Sequence, residues 1–514
     1  MQGEVIVNAS AAVDRGLLER GPSDFIDGRW HPLPVGSGII SRDPARPDTI
    51  VWAADSVPSH VDAAVDAATR GRAEWFGLGE SGRLDALQRW KSAAESHAPR
   101  LAELITLETG KIRSEATAEA GLVGKKVDIT IGPHSKGRIE GYDVAAGETR
   151  IGRCSFRPHG VMAVLGPYNF PAHLPNGHVV PALLAGNTVV FKPSDKTPAV
   201  GQALAEIADA AELPAGVFNL VQGGADPASR LVAHSDVDGI LFTGSWGVGR
   251  RILEANLETP GRIVALELGG SNPSVVLPDA DLRQAVIECA RAAFATTGQR
   301  CTCTRRIVVH ADVADRFIAA FCKVASTLVV GPGDADGPVF MGPMINQDAV
   351  DAVLAYQTEL HARGGKVLVE STRVDGTGHF VTPGVVMVDR FEIEQDRECF
   401  GPLVQIAIAR DFDDAIEQAN ATRYGLAASI FTRDDSAWTR FLAECRAGCV
   451  NRNCGTAGAS GALPFGGLGL SGNHRPAGAF SLDYCAHPVA SMIESGDGAA
   501  VPPGMLLDDR WLGA

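Results

Sequence analysis

Between residues 161 and 242 short apolar runs alternate with helical stretches, and this alternation sets the class of fold open to the chain. The runs cover 161–165, 188–191, 217–221 and 239–242, each four or five residues long. Strands that short and that apolar must be covered on both faces. Helices between them supply the cover, which predicts a parallel α/β sheet with ligand sites at the carboxyl ends of its strands. The same alternation resumes after residue 301. Strands are predicted over 306–309, 366–369 and 428–431, and helices over 313–328, 350–363 and 413–420. That is a second α/β domain.

The first 160 residues read differently. Residues 1–22 resemble a loose leader, and Phe25 to Trp30 form a hairpin with Asp27-Gly28 in the turn. A proline-rich loop covers 41–47. Helices are predicted over 61–72, 81–96 and 100–110. The last has Leu101, Leu104, Ile105 and Leu107 at helical spacing and Gly110 as C-cap. A helix over 112–130 contains Lys125 and Lys126, and strands follow within 141–156. The tail from Gly496 is expected to lie on the surface.

A chain of 514 residues exceeds one ordinary core, so two or three domains are expected. A formal net charge of −15 argues against broad binding to nucleic acid or an anionic membrane, while leaving room for a local basic pocket. No apolar run reaches 18 residues and the first residues lack a basic, apolar leader pattern, so neither a membrane span nor a signal peptide is expected. Ten cysteines in so long a chain read as reduced thiols of a cytoplasmic protein. Cys301 and Cys303, and the group Cys445, Cys449 and Cys454, lack zinc-site spacing, so no metal is expected.

Several stretches carry chemistry. Glu267 stands before Gly269-Gly270, and Cys301 follows Gly298-Gln299-Arg300. A thiol attacks an aldehyde well, and a nearby carboxylate can activate the water that removes the acyl group. Read alone, Cys301 equally suits a small core residue. Asn169, just past the first apolar run, can donate to a developing oxyanion or simply occupy a turn. Lys192 and Asp195 end the second run, where they suit the hydroxyls of an adenosine ribose or form a solvated loop pair. Gly244, Ser245, Trp246, Gly247, Val248 and Gly249 join the fourth run to a helix, and let backbone N–H groups approach a pyrophosphate. Their order is not G-x-G-x-x-G, so alone they are weak evidence.

The order of these stretches is specific. Asn169, Lys192, Gly244 to Gly249, Glu267 and Cys301 are followed by Glu398-Cys399-Phe400-Gly401-Pro402 and Pro464-Phe465-Gly466-Gly467. In this arrangement residues 22–490 closely resemble the aldehyde dehydrogenase superfamily. The resemblance implies an α/β fold with a Rossmann-type NAD-binding domain (22–130 and 157–268), an α/β catalytic domain (269–482) and a small β oligomerisation element (131–156 and 483–493). Residues 1–21 and 494–514 become terminal extensions. By the same resemblance Cys301 is the nucleophile, Glu267 the general base and Asn169 the side-chain half of the oxyanion hole. Lys192 and Asp195 touch the adenosine ribose of NAD, Gly244 to Gly249 its pyrophosphate, and Glu398 and Phe400 its nicotinamide end. Asp195 departs from the more usual glutamate and reaches one methylene less.

Within the superfamily, residues 166–178, 298–303 and 471–476 look like the branch that oxidises N-succinylglutamate 5-semialdehyde in arginine breakdown. That implies an aldehyde with two carboxylates, for which Lys126 and Arg300 rank first as cationic partners, with His173, His178 and Arg475 behind them. The resemblance also implies a homodimer or homotetramer and no nucleic-acid partner. A coenzyme-A-acylating enzyme is disfavoured because Glu267 supplies the base that hydrolysis needs. A catalytically silent structural member is disfavoured by the intact set Cys301, Glu267 and Asn169.

Overall fold

A computed structural model of the chain describes residues 11–496 and 501–513. Residues 1–10 of the expected leader, residues 497–500 of the expected tail, and Ala514 lie outside the described residues. Three sheets carry the architecture. The first has seven strands in the spatial order Ile263–Glu267, Gly239–Thr243, Val161–Leu165, Thr188–Lys192, Phe218–Leu220, Ser23–Ile26 and Arg29–Pro32. Its first five strands run parallel. The strands starting at Val161, Thr188 and Gly239 are buried along their whole length, which is why they read as unbroken apolar runs. The chain winds outward from Val161–Leu165 to Phe218–Leu220, then returns to Gly239–Thr243 on the other side. That reversal opens a crevice at the carboxyl ends, between the loops after Leu165 and after Thr243.

The hairpin forms as expected, with Phe25 paired to Trp30. Asp27 and Gly28 have φ of 54° and 70°, the doubly left-handed turn that follows the strands' own twist. It extends the first sheet by pairing with Phe218–Leu220.

The second sheet also has seven strands, in the order Lys366–Val369, Gly384–Met387, Leu403–Ala409, Thr304–His310, Asn272–Val276, Ala427–Phe431 and Cys449–Arg452. Only its first pair is antiparallel. It reverses between Asn272–Val276 and Ala427–Phe431, and Asn272 opens its strand at the amino end, level with Thr304 at the start of the neighbouring parallel strand. The third sheet is a three-stranded antiparallel ribbon of Tyr142–Ala145, Arg150–Pro158 and Ala486–Glu494. Among the described residues no helix is long and apolar enough to cross a membrane.

Three sequence expectations change. The proline-rich loop expected over 41–47 is a tight hairpin, in which Ile39–Asp43 pairs with Arg46–Ala54 around Pro44-Ala45. The helices expected over 81–96 and 100–110 are one helix, Gly79–Thr109, with Pro99 inside it. A mid-helix proline costs about 3 kcal/mol. Leu87 and Trp90 before it, and Leu101, Leu104 and Ile105 after it, are all buried on one core. Each such side chain stabilises by roughly 1.5–3 kcal/mol, so burial outweighs the break. Gly110 does cap this helix, at φ 72°. The described part of the leader is also not loose: Ala12, Leu17 and Leu18 are buried in the same core. Residues 501–513, by contrast, lie almost wholly exposed.

Candidate active site

The Ile263–Glu267 strand ends the first sheet, and Glu267 is its last residue. As an edge strand it would leave backbone groups unpaired. The segment after Gly467 pairs with it instead. Leu268 N–H donates to Ser471 O (3.0 Å), Leu266 N–H donates to Asn473 Oδ1 (3.0 Å), and Asn473 Nδ2 donates to Val264 O (2.7 Å). The Glu267 carboxyl is thereby fixed in a buried position, 4% exposed, with no hydrogen-bond partner for Oε1. Burial pushes its pKa up to about 8, against the opposing pull of the Lys126 ammonium. A buried carboxyl without donors is costly unless it is neutral or put to use.

Cys301 lies in the loop before the Thr304–His310 strand. Burial pushes its thiol far above the ordinary range, and the charges of Glu267 and Glu398 add to the effect. At rest it is a thiol, and it needs a base to become a nucleophile. Its carbonyl accepts from Asn272 Nδ2 at 2.8 Å; the same amide donates to Cys303 O at 2.8 Å. A Cβ on Gly270 would lie 2.8 Å from Cys301 O, so only glycine lets the Glu267 segment lie this close to the cysteine loop. Cys303 is fully buried, and all ten cysteines are free thiols.

The loop enters Cys301 through an unusual turn. Thr296, Thr297 and Gly298 have φ of 53°, 56° and 68°. Left-handed geometry costs a β-branched residue on the order of 1–3 kcal/mol, so this turn must be held from outside. Glu115 Oε1 accepts from Thr296 N–H and Thr296 Oγ1, both at 3.0 Å, and Thr297 Oγ1 donates to Gly342 O at 2.9 Å.

Asn169 is 7% exposed, in the loop after the Val161–Leu165 strand. Its Nδ2 donates one hydrogen to Gln299 O at 2.9 Å. The side chain expected from sequence beside Cys301 is therefore bonded to the cysteine loop itself, two residues before the thiol.

The expected cofactor residues gather along the crevice of the first sheet. Lys192 is buried, its ammonium donating to Pro193 O and Gly223 O, both at 2.5 Å. Burial brings its pKa down to about 8. Asp195 is exposed, near Lys196. Gly244 precedes Ser245, which caps the Trp246–Ala255 helix. A Cβ on Gly244 would meet the Phe242 ring at 2.4 Å, while Gly247 faces open space. Val248 is exposed and Gly249 is buried. Glu398 Oε1 accepts from Gly270 N–H at 3.0 Å, and a Cβ on Gly269 would strike its other oxygen. The ring of Phe400 packs edge-on against Tyr168, with centroids 6.1 Å apart.

Of the expected cations, Lys126 is buried. Its ammonium donates to Gly478 O (2.8 Å) and Ser481 Oγ (3.2 Å), and its charge acts on Glu267. Arg300 is partly exposed. It donates to Glu115 Oε1 (2.8 Å) and Thr296 Oγ1 (2.7 Å), and it lines a cleft of about 400 Å³ together with Ile112, Arg291 and Phe340. Burial lowers His173 to about 4 and His178 to about 3, so neither imidazole carries positive charge at neutral pH. His178 instead links Tyr484 OH (2.9 Å) to Thr243 Oγ1 (3.2 Å). Arg475 is exposed.

Sequence reasoning missed Asn272, Asn473, Glu115 and Glu119. Asparagines at strand ends look like turn residues. The one available signal was Glu115 and Glu119 four apart on an expected helix, a spacing that puts them on one face.

Comparison with known proteins gives the family. The profile of the aldehyde dehydrogenase family matches residues 35–488, and the chain belongs to that family. It is an enzyme of the α/β aldehyde dehydrogenase fold, with a dinucleotide-binding part and a catalytic part. An NADP-dependent enzyme of E. coli is 32% identical over 94% of this chain and 99% of its own, with a TM-score of 0.88. Lactaldehyde dehydrogenase from Escherichia coli is 28% identical (92% and 99% covered, TM-score 0.87). 1-Pyrroline-5-carboxylate dehydrogenase from Thermus, solved with bound NAD, is 26% identical (93% and 94% covered, TM-score 0.87).

The electrostatics give a direct test. Followed by its infrared carbonyl band, with Glu267→Gln as the blank, the Glu267 carboxyl should ionise near pH 8. In Lys126→Met the midpoint should rise, because the charge that favours the carboxylate is gone. An unchanged midpoint would mean that Lys126 does not act on Glu267.

Proposed function

We propose that the enzyme oxidises an aldehyde to a carboxylate through a covalent adduct on Cys301, with NAD as cofactor and N-succinyl-L-glutamate 5-semialdehyde as substrate. The observation that carries the catalytic reading is the buried Glu267 carboxyl, with one oxygen unpartnered, whose charge acts on the Cys301 thiol.

The residues fit a dinucleotide. Gly247 and Val248 leave the first turn of the Trp246–Ala255 helix open, and a ten-residue helix offers N–H groups to a pyrophosphate there. Lys192 holds a buried ammonium close to Asp195, a pair suited to ribose hydroxyls. Glu398 is bonded to the Gly269–Gly270 segment and Phe400 packs on Tyr168 beside Asn169, and these two would hold the nicotinamide end. When bound, the nicotinamide accepts the hydride that no side chain can take.

The chain's own groups do the rest. The Cys301 sulfur, once deprotonated, adds to the aldehyde carbon, and the oxygen gains negative charge. Asn169 has a second N–H to offer that oxygen, since Gln299 O takes only one. After oxidation the acyl group is a thioester on Cys301. Glu267 takes a proton from water, and the resulting hydroxide releases the acid and restores the thiol. A base with a pKa near 8 is partly ionised at neutral pH, so turnover rises as pH increases through that value.

The substrate reading rests on the sequence of the 166–178, 298–303 and 471–476 segments, and on the cleft that Arg300 and Arg291 share beside the cysteine loop. Both guanidiniums are paired with carboxylates, Glu115 and Glu288, and a substrate carboxylate would compete for or bridge to them. Lys126 contributes from below, through Glu267. We read residues 22–130 and 157–268 as the NAD-binding domain, residues 269–482 as the catalytic domain, and the three-stranded ribbon as the element that joins subunits into a dimer or tetramer. A cytoplasmic location suits ten free thiols.

Four measurements test the reading. Cys301→Ala should lose dehydrogenase activity while still binding NAD, whereas Cys303→Ala keeps most of its activity; the reverse would overturn the assignment. Glu267→Gln should still release about one NADH per site in a burst before slow turnover, and loss of the burst would move Glu267 to thiol activation. The exposed Asp195 carboxylate should repel a 2′-phosphate, so NAD gives the higher kcat/KM and Asp195→Ser narrows the difference. Equal efficiency with NADP would contradict this. In a panel of aldehydes, N-succinylglutamate semialdehyde should exceed succinate semialdehyde and propanal in kcat/KM. A preference for propanal would sink the substrate while leaving the chemistry intact.

A further inference from the structure

The segment from Lys111 to Glu119 sits behind both halves of the site and touches each through a carboxylate, Glu119 buried and Glu115 partly buried. Glu115 and Glu119 are four residues apart on the Arg113–Ile131 helix, and Lys111 lies just before it. Glu119 Oε1 accepts from Ala172 N–H (3.0 Å) and His173 N–H (3.2 Å), the residues that end the Asn169 loop. Its other oxygen is bonded to the Lys111 ammonium, which also lies 3.5 Å above the centre of the Phe170 ring. On the other side Glu115 Oε1 gathers Thr296 N–H, Thr296 Oγ1 and the Arg300 guanidinium. That guanidinium also lies over Phe170, at 5.4 Å. Phe170 follows Asn169 and Arg300 precedes Cys301. One helix face and one aromatic ring therefore connect the loop of the oxyanion donor to the loop of the thiol.

We propose that Glu115 is a positioning residue for the oxidation, holding the left-handed Thr296–Gly298 turn that aims Cys301 at the Asn169 donor, with the Lys111–Glu119 pair fixing the facing loop. The inference rests on the reading of Cys301 as nucleophile and Asn169 as oxyanion donor. Nothing else that is shown to bond Thr296 pins its left-handed backbone so directly. Gln299 N–H returns to Thr296 O (3.0 Å) within the turn, and Arg300 Nε reaches only the hydroxyl. Without Glu115, Thr296 is free to revert to an ordinary φ, and that swings the three residues that follow it. A small displacement of a nucleophile is expensive in rate and cheap in binding.

The distinguishing experiment exploits glycine's tolerance of positive φ. The rate of the NADH burst is measured by stopped flow, with the aldehyde of highest kcat/KM in the panel above. In Glu115→Ala the burst rate should fall by about tenfold or more, while KM and NAD affinity change by less than about threefold. Glu115→Gln keeps the oxygen that accepts from Thr296, and should retain about half the rate or more. Adding Thr296→Gly to Glu115→Ala should restore the burst to within about threefold of the parent, because glycine takes the left-handed turn without the steric cost that drives threonine out of it. A general loss of structure would not be repaired by removing a second side chain.

An unchanged burst in Glu115→Ala overturns the proposal. So does a Glu115→Ala/Thr296→Gly variant as slow as Glu115→Ala, which would mean that Glu115 acts through the charge of Arg300 on the substrate. If Glu115→Ala does not fold, Glu115→Asp takes its place. It keeps the charge beside Arg300 but withdraws the oxygens by one methylene, so a burst slowed and then repaired by Thr296→Gly supports the proposal and an unslowed one refutes it. Full activity in Cys301→Ala would instead remove the reading on which the proposal stands, whatever Glu115 does.

Discussion

The backbone pairing between Ile263–Glu267 and the segment around Ser471–Asn473 is the interaction on which the site depends. It closes the open edge of the first sheet with groups from a region two hundred residues further along. Every polar backbone group so paired is one that burial would otherwise penalise. The strand can therefore end in a buried position, and its last side chain can be a carboxyl. Asn272 does the corresponding work on the second sheet. Its amide bonds to the carbonyls of Cys301 and Cys303, and its oxygen accepts from Ala427 N–H at 2.9 Å. Two side-chain amides thus hold the end of the Glu267 strand and the loop of Cys301, the two groups assigned to the reaction under the proposed function.

Burial then sets the chemistry. The same removal from water raises Glu267 and Cys301 and lowers Lys126, Lys192, His173 and His178. The directions differ because charge is disfavoured in each case. The outcome is a centre in which the thiol and both histidines are neutral at rest, and Glu267, with the Lys126 and Lys192 ammoniums, changes charge near pH 8. Lys126 tempers the change on Glu267, bonded to the Gly478–Ser481 turn so that its charge stays at a fixed place.

Much of this was legible in the sequence. The apolar runs at 161–165, 188–191 and 239–242 marked central strands because both of their faces are buried, and Asp27-Gly28 marked a turn because few residue pairs tolerate its geometry. The strand Asn272–Val276 was hidden: it begins Asn-Pro-Ser, three residues that argue against a strand, yet all are buried and the pairing shifts register at Pro273. Pro99 hid a helix in the same way, by a local signal that long-range packing overrides. The order of motifs pointed to Cys301, Glu267 and Asn169. It did not point to Glu115 or Glu119, because a carboxylate that holds another loop looks in sequence like any solvated glutamate. For Lys126 and Arg300 the charge was visible and the partners were not.

Gly269, Gly270 and Gly298 have a consequence for how such an enzyme diversifies. A methyl group at these positions would lie 1.9 Å from Glu398, 2.8 Å from Cys301 O and 2.2 Å from Gly401 O. A side chain at these positions would strike the Glu398 carboxyl, the Cys301 carbonyl or the Gly401 main chain, so none of the three glycines can be exchanged without moving its neighbours. Nearly all viable sequence drift around the reaction centre is thereby closed off, while the cleft of Ile112, Arg291, Arg300 and Phe340 is built from side chains on separate elements. Selection for a new aldehyde meets a rigid inner shell and a permissive outer one, so new specificities arise at a distance from the bond that is broken.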